Sequence, residues 1–187
     1  MGVKFLASAA AAGLLLSATA AVPGAAAQEA GLTADSTFIQ TAGSLGLLQV
    51  KLGKLAEEKG SSPSVRDYGK RMVADYTKVN EELASGAKQA AYPEPVMLRE
   101  HKQILDRFTK TGRSSFDKKY MAEMVKQQEE AVDLFKRESQ GGHVKSLKAL
   151  ASKTLPEVEQ HQTLARQTAG TVGADVTAAN ARPRQGS

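Results

Sequence analysis

A repeated helical phrase constrains the fold of this chain more than any other feature. Tyr68-Gly-Lys-Arg-Met-Val73 recurs 52 residues later as Tyr120-Met-Ala-Glu-Met-Val125, and each copy continues into an amphipathic stretch. Apolar residues at three- and four-residue spacing are typical of a helix that packs one face against a core. The repeat therefore predicts two similar helical hairpins in one bundle, with Tyr68 and Tyr120 in equivalent positions.

Short breaks rich in Gly, Ser and Pro divide the rest of the chain into helical segments. Ser62 is a candidate cap for the second long helix, and Ser114 or Ser115 for the third. No run shows the period-two alternation of a strand. Short breaks favour antiparallel neighbours, and the longer middle connection favours a crossover between two hairpins. We therefore predict an all-α, up-and-down four-helix bundle with a short extra helix in the crossover between helices 2 and 3; the alternative is an extended helical hairpin that dimerises. The predicted helices cover residues 33–59, 63–90, 96–110, 116–140 and 144–168.

Residues 1–27 have the pattern of a secretory signal peptide. Lys4 provides a positive start, an apolar run extends from Phe5 to Leu16, and Ala25-Ala26-Ala27 suits cleavage. The apolar run is shorter than the ~20 residues of a spanning helix, which disfavours the alternative of a retained membrane anchor. We expect a periplasmic or secreted protein without an integral membrane span. Its predicted parts are a flexible segment at 28–32, the bundle at 33–169 and a disordered tail at 170–187.

Composition excludes several classes of function. The chain has no Cys, which removes disulfides, thiolate ligands and cysteine nucleophiles. Its formal net charge is +5, but the basic residues alternate with Glu and Asp along the helices, as on solvated helix surfaces. No groove-reading motif or aromatic and basic patch indicates a nucleic-acid partner. Scattered His residues and the lack of a nucleophile elbow indicate no hydrolase, so we expect a protein that is not an enzyme.

Five phrases spread along the chain together resemble a known bacterial family. They are Phe38-Ile-Gln40, Val50-Lys-Leu-Gly-Lys-Leu-Ala56, Arg71-Met-Val-Ala-Asp-Tyr76, Phe116-Asp-Lys-Lys-Tyr-Met121 and Lys153-Thr-Leu-Pro-Glu-Val-Glu-Gln-His161. Over residues 33–169 the chain resembles the exported family catalogued as domain of unknown function number four-one-four-two. The resemblance implies a ferritin-like four-helix bundle and brings no established activity.

The same resemblance implies metal-binding residues that this chain has largely lost. The family pattern places Asp-His in the second and third long helices, Glu in the first and His in the fourth. Asp75 and His161 are kept, but the other positions hold Tyr76, Gln127, Gln128 and Gln49. Neutral amides are weak ligands for a metal ion. We therefore expect a lost or much altered metal site, and no cofactor.

Polar residues on the inward faces predict a polar layer inside the bundle. Gln128 shares a stripe with apolar residues, and burial of an unpaired amide costs roughly 1–3 kcal/mol. We predict that Tyr76, Gln128 and His161 form a hydrogen-bonded layer across the bundle. The alternative is that Gln127 and Gln128 both reach solvent. His161 is either a core histidine bonded to a neighbouring helix or a residual ligand, and His101 is expected to be exposed.

Two functions compete on these observations. The favoured one is a non-catalytic protein of the cell envelope that acts through its helix surfaces, in stress tolerance or surface association. Its partner would be an unidentified envelope protein or surface, and an oligomer is compatible with this role. The other is a metal-binding or redox ferritin-like protein with a degenerate site. Its candidate ligands are Asp75, Glu157 and His161, since Glu157 lies one turn before His161; Glu129 is a weaker candidate.

Overall fold

A computed structural model describes residues 23–177, with side chains from residue 33 onward, and its regular structure is helical. No strand occurs among these residues, which confirms the predicted all-α class. Within the same range, no helix combines the length and the hydropathy that crossing a membrane requires. The helices are α1 (Pro23–Lys59), α2 (Pro63–Gln89), α3 (Arg99–Thr109), α4 (Arg113–Gly141) and α5 (Lys145–Thr171).

The first helix begins earlier than the sequence analysis predicted. α1 extends back at least to Pro23, where the described part of the chain begins. The Ala-rich sequence that follows has high helix propensity. Residues 28–32, predicted to be flexible, are therefore part of this helix. Residues 1–22, which hold most of the predicted signal peptide, lie outside the described part of the chain.

The breaks between helices lie where predicted, but the expected serine hydroxyls do not cap the helices that follow. Ser62 occupies the N-cap position of α2, as predicted, yet its hydroxyl makes no capping bond. Asp117 of α4 instead accepts the Ser62 N–H at 2.7 Å. α4 itself begins directly after Gly112, so Ser114 and Ser115 lie inside the helix and the prediction that one of them caps it was wrong. At the start of α2, a carboxylate of α4 thus makes the side-chain contact expected of the serine hydroxyl, whereas the N-cap of α4 is Gly112.

Contacts at the two ends of the molecule define the helix directions. At one end, Asp117 near the start of α4 reaches the turn between α1 and α2. Ser64 of α2 lies there too, 3.3 Å from the hydroxyl of Thr171 at the end of α5. At the other end, Asp35 of α1 accepts the N–H of Val144, just before α5, at 2.7 Å. α2 and α4 therefore run parallel to each other and opposite to α1 and α5, so the up-and-down alternation breaks between α2 and α4.

The four long helices enclose the core as two hairpins. α1 packs mainly on α2 and α4 mainly on α5, while α1 also contacts α4 and α2 contacts α5. The buried rings of Tyr68 and Tyr120 meet edge to face, with centroids 6.1 Å apart. The sequence repeat therefore relates α2 to α4, one parallel helix of each hairpin. It does not extend to whole hairpins, because α2 ends the first hairpin whereas α4 begins the second.

The connection between α2 and α4 runs along α1. The Leu98 N–H donates to the Ser44 hydroxyl at 2.7 Å, and the Lys59 ammonium donates to the Thr109 carbonyl at 2.6 Å. These contacts follow α1 from its middle to its end, so the crossover returns the chain to the end where α4 begins. His101 in α3 is buried and bonded to Ser44, and the expectation that it is exposed was wrong.

The last helix continues beyond its predicted end. α5 passes through Pro156 and reaches Thr171. Three apolar side chains after it are partly buried against the core: Val172, Ala174 and Val176. Residues 170–177, which were predicted to belong to a disordered tail, thus include the last turn of α5 and side chains that contact the core. Residues 178–187 lie outside the described part.

Candidate metal centre

Three side chains from two helices converge between α2 and α5. Asp75 comes from α2, whereas Glu157 and His161 are one turn apart on α5. One ligand atom from each lies within 4.8 Å of the other two. Among the described residues, no other group of three His, Asp or Glu side chains is this compact. The structure thus brings together the three candidate ligands that the sequence analysis named.

The helix patterns explain why these groups lie at the edge of the core. Asp75 precedes the buried Tyr76, so its side chain leaves the apolar stripe of α2 and remains 17% exposed. His161 follows Val158 by one turn on the buried stripe of α5, and its side chain is 1% exposed. Glu157 is half-buried beside them. The three groups therefore form a site that solvent reaches from one side.

Two nitrogen groups already contact the Asp75 carboxylate. His161 Nε2 lies 2.9 Å from Asp75 Oδ2, and Arg71 Nε donates to the same oxygen at 3.2 Å. Arg71 was not among the residues singled out from the sequence. Its spacing of four residues from Asp75 on one helix is the signal that could have identified it.

The His161 imidazole favours its neutral form. Burial lowers the pKa of His161 below its ordinary value, although the neighbouring Asp75 and Glu157 carboxylates act to raise it. A neutral imidazole keeps one lone pair for a metal, but while Nε2 donates to the Asp75 carboxylate this lone pair is on Nδ1, so a metal at Nε2 requires the other tautomer. Nδ1 of this ring is buried and has no hydrogen-bond partner. Since ligating histidines usually donate their second N–H to a neighbour, this site lacks one source of metal affinity.

The donor set matches a particular class of cation. One imidazole and two carboxylates suit first-row divalent ions such as Mn²⁺, Fe²⁺ and Zn²⁺, and no thiolate is available. Three protein ligands leave coordination positions for water, as in sites that exchange their ligands. A bound ion would take the place of the direct contact between Asp75 and His161. The residues fit such an ion, with modest affinity because of the unpartnered Nδ1.

A chain of polar groups crosses the core behind this site. The Tyr76 hydroxyl donates to Gln128 Oε1 at 2.9 Å, and Gln128 Nε2 donates to the Tyr68 hydroxyl at 3.3 Å. The His161 ring lies against the Tyr76 ring, with centroids 5.4 Å apart, but its nitrogen contacts Asp75 instead. Tyr76 and Gln128 thus form the predicted hydrogen bond, whereas His161 makes no hydrogen bond to either and touches Tyr76 only through its ring, unlike the layer predicted. Burial raises the pKa of Tyr76 well above its ordinary value, so this phenol keeps its proton and is a poor ligand.

Comparison with known protein families gives a match over most of the chain. The family model described as Domain of unknown function (DUF4142) matches residues 20–168, which include all three candidate ligands. The chain belongs to the DUF4142 family. No curated protein and no solved structure matches it.

In this DUF4142 protein, the amides at the expected donor positions all face inward. Gln49, Gln127 and Gln128 are buried, so the alternative in which Gln127 and Gln128 reach solvent was wrong. Gln127 Nε2 donates to Glu123 at 2.9 Å, whereas neither polar atom of the Gln49 side chain has a partner. These positions point into the core and offer weak donors there.

Proposed function

We propose that this protein binds one divalent first-row cation through Asp75, Glu157 and His161. A single observation carries the proposal. Two helices that are far apart in the sequence bring an imidazole and two carboxylates within 4.8 Å of one another. A divalent ion would offset the excess negative charge of the two carboxylates, and the partly exposed Asp75 gives it a route of entry.

We also propose that the helices form a ferritin-like four-helix bundle, with α3 in the crossover. Two antiparallel hairpins joined by a connection that runs along α1 from its middle to its end support this class. The composition of residues 1–27 supports export to the periplasm or beyond the cell. Mass analysis of the envelope fraction should find a chain that begins near Gln28. A cytoplasmic pool that retains Met1 would contradict export.

A second candidate function is a non-catalytic envelope protein that needs no metal and acts through its helix surfaces. It is favoured by the buried amides of Gln49, Gln127 and Gln128, which leave the expected donor set incomplete. In that case the contacts of Asp75 with Arg71 and His161 serve only to hold α2 against α5.

Metal analysis of protein purified without chelators separates the two candidates. The metal-binding proposal predicts up to one zinc, iron or manganese ion per chain, and loss of that metal in the H161A variant. Thermal unfolding with and without added ions is the second measurement, because an ion that binds only the folded state raises its stability. Metal-free wild-type protein with unchanged stability in added Zn²⁺, Fe²⁺ or Mn²⁺ would favour the second candidate.

A further inference from the structure

Arg71 contacts the Asp75 oxygen that faces the His161 imidazole. Its Nε lies 3.2 Å from Asp75 Oδ2, and the same oxygen lies 2.9 Å from His161 Nε2. Arg71 is one turn before Asp75 on α2, and its side chain is 51% exposed. The carboxylate oxygen that faces the imidazole is thus already paired with a cation from the chain itself.

We propose that Arg71 is a built-in competitor that an incoming divalent cation displaces from Asp75. The inference rests on the proposed metal binding, since it concerns the regulation of the same site. A guanidinium and a divalent ion on one carboxylate oxygen repel each other, so the two compete. The exposed ion pair is weak and the Arg71 side chain can turn into solvent, so displacement is feasible but lowers the affinity for metal.

The opposite role for Arg71 makes a different prediction. Arg71 could hold the Asp75 carboxylate in place while the metal binds, as outer partners of metal ligands often do. Removing Arg71 would then weaken metal binding, whereas removing a competitor strengthens it. The sign of the change separates the two roles.

Calorimetric titration of Zn²⁺ into wild type, R71Q and K70Q tests the inference. Lys70 is exposed and adjacent to Arg71, so K70Q removes the same charge from α2 without touching the Asp75 contact. R71Q should bind Zn²⁺ roughly five- to fifty-fold more tightly than wild type, as expected for removing a partly screened unit charge, and K70Q should change little. Adding D75N to R71Q should abolish the gain, and circular dichroism verifies that each variant is folded.

The possible outcomes distinguish the competing role of Arg71 from the metal binding on which that role rests. Wild type that binds Zn²⁺ together with R71Q that binds equally or less tightly overturns the role of Arg71 and leaves the metal site standing. Binding by R71Q alone supports Arg71 as the competitor and overturns metal binding by the native chain. If neither protein binds, both ideas fail.

Discussion

The Glu138 carboxyl, at the end of α4, is buried beside a second acid. Asp35 accepts the N–H groups of His143 and Val144 at the start of α5, and Glu138 is 5% exposed next to it. Burial raises the pKa of Glu138 from 4.5 to about 7, and Asp35 adds to this rise while Lys148 opposes it. Much of the Glu138 population therefore carries a proton at neutral pH.

Replacing Glu138 by Gln should change how stability depends on pH. The pKa of Glu138 in the folded protein is above its ordinary value. The protein therefore has its full stability below about pH 4.5 and loses part of that stability as the pH rises through about 7. E138Q should therefore be more stable than wild type by roughly 1–3 kcal/mol at pH 8 and nearly equal at pH 4.5. Urea unfolding at the two pH values measures this. The exposed Glu130 provides the control E130Q, and an equal change for E138Q at both pH values would contradict the account.

Two buried tyrosines on equivalent helices differ in their hydrogen bonds, which gives a matched comparison. The Tyr76 hydroxyl donates to Gln128, whereas the Tyr120 hydroxyl is buried without a partner. Y76F leaves the amide oxygen of Gln128 unpaired and should cost roughly 1–3 kcal/mol of unfolding free energy. Y120F removes an unpaired group and should be neutral or stabilising. Equal destabilisation by both variants, measured by urea unfolding, would mean that the Tyr76 bond contributes nothing specific.

The sequence allowed the separate ligands to be predicted but not their surroundings. The spacing of Glu157 and His161 on one helix face is local, and it can be read from a helical pattern. The bond of Asp117 to Ser62 and that of Asp35 to Val144 join residues 55 and 109 positions apart, so they depend on how the helices pack. For this reason the sequence did not show that Asp117, and not the Ser62 hydroxyl, contacts the backbone at the start of α2.

At the scale of elements, α1 and α2 approach closely through a pair of glycines. A Cβ added at Gly69 would lie 2.7 Å from the carbonyl oxygen of Gly53, and one added at Gly53 would lie 2.6 Å from the carbonyl of Gly69. Both obstacles are backbone atoms, which cannot move aside as a side chain can. The hairpin therefore depends on the missing side chains at this crossing.

G69A tests this close approach. Alanine is more favourable in a helix than glycine by about 1 kcal/mol. The added methyl group must push the two backbones apart, however, and this should outweigh that gain and destabilise the protein by roughly 1–3 kcal/mol. Gly170 in the last turn of α5 is the control, because a Cβ there would meet no atom within 4 Å. G170A should be neutral or slightly stabilising. Thermal unfolding that shows G69A to be as stable as G170A would refute the proposed contact.

Helix identities were more predictable than helix ends. The amphipathic pattern located all five helices, because the period of apolar residues depends only on which face is buried. The extension of α1 to residues before 33 and the continuation of α5 to Thr171 lie outside that pattern. At the C-terminal end, Val172 and its apolar neighbours are ordered by contact with the core, which single-residue composition does not show.

At the scale of the whole molecule, α2 and α4, the two helices related by the sequence repeat, lie parallel and form the core next to the candidate metal site. Tyr68 and Tyr120 meet in the core between the two repeated helices, and Tyr76 connects this core to His161. The sequence revealed the repeat, but it did not show that the repeat relates one helix from each hairpin. That arrangement follows from the crossover along α1, whose path is determined by contacts such as that of Lys59 with Thr109.

Calorimetric titration of Zn²⁺ into wild type, E157Q and E159Q tests the central claim most directly. Glu157 belongs to the candidate centre, whereas Glu159 lies two residues further along α5 with its side chain exposed, so the two substitutions remove the same charge from one helix. We predict one Zn²⁺ site per chain in wild type, binding weakened by more than roughly tenfold in E157Q and unchanged in E159Q. Absence of binding by wild type, or equal binding by E157Q and E159Q, would contradict a metal site at Asp75, Glu157 and His161.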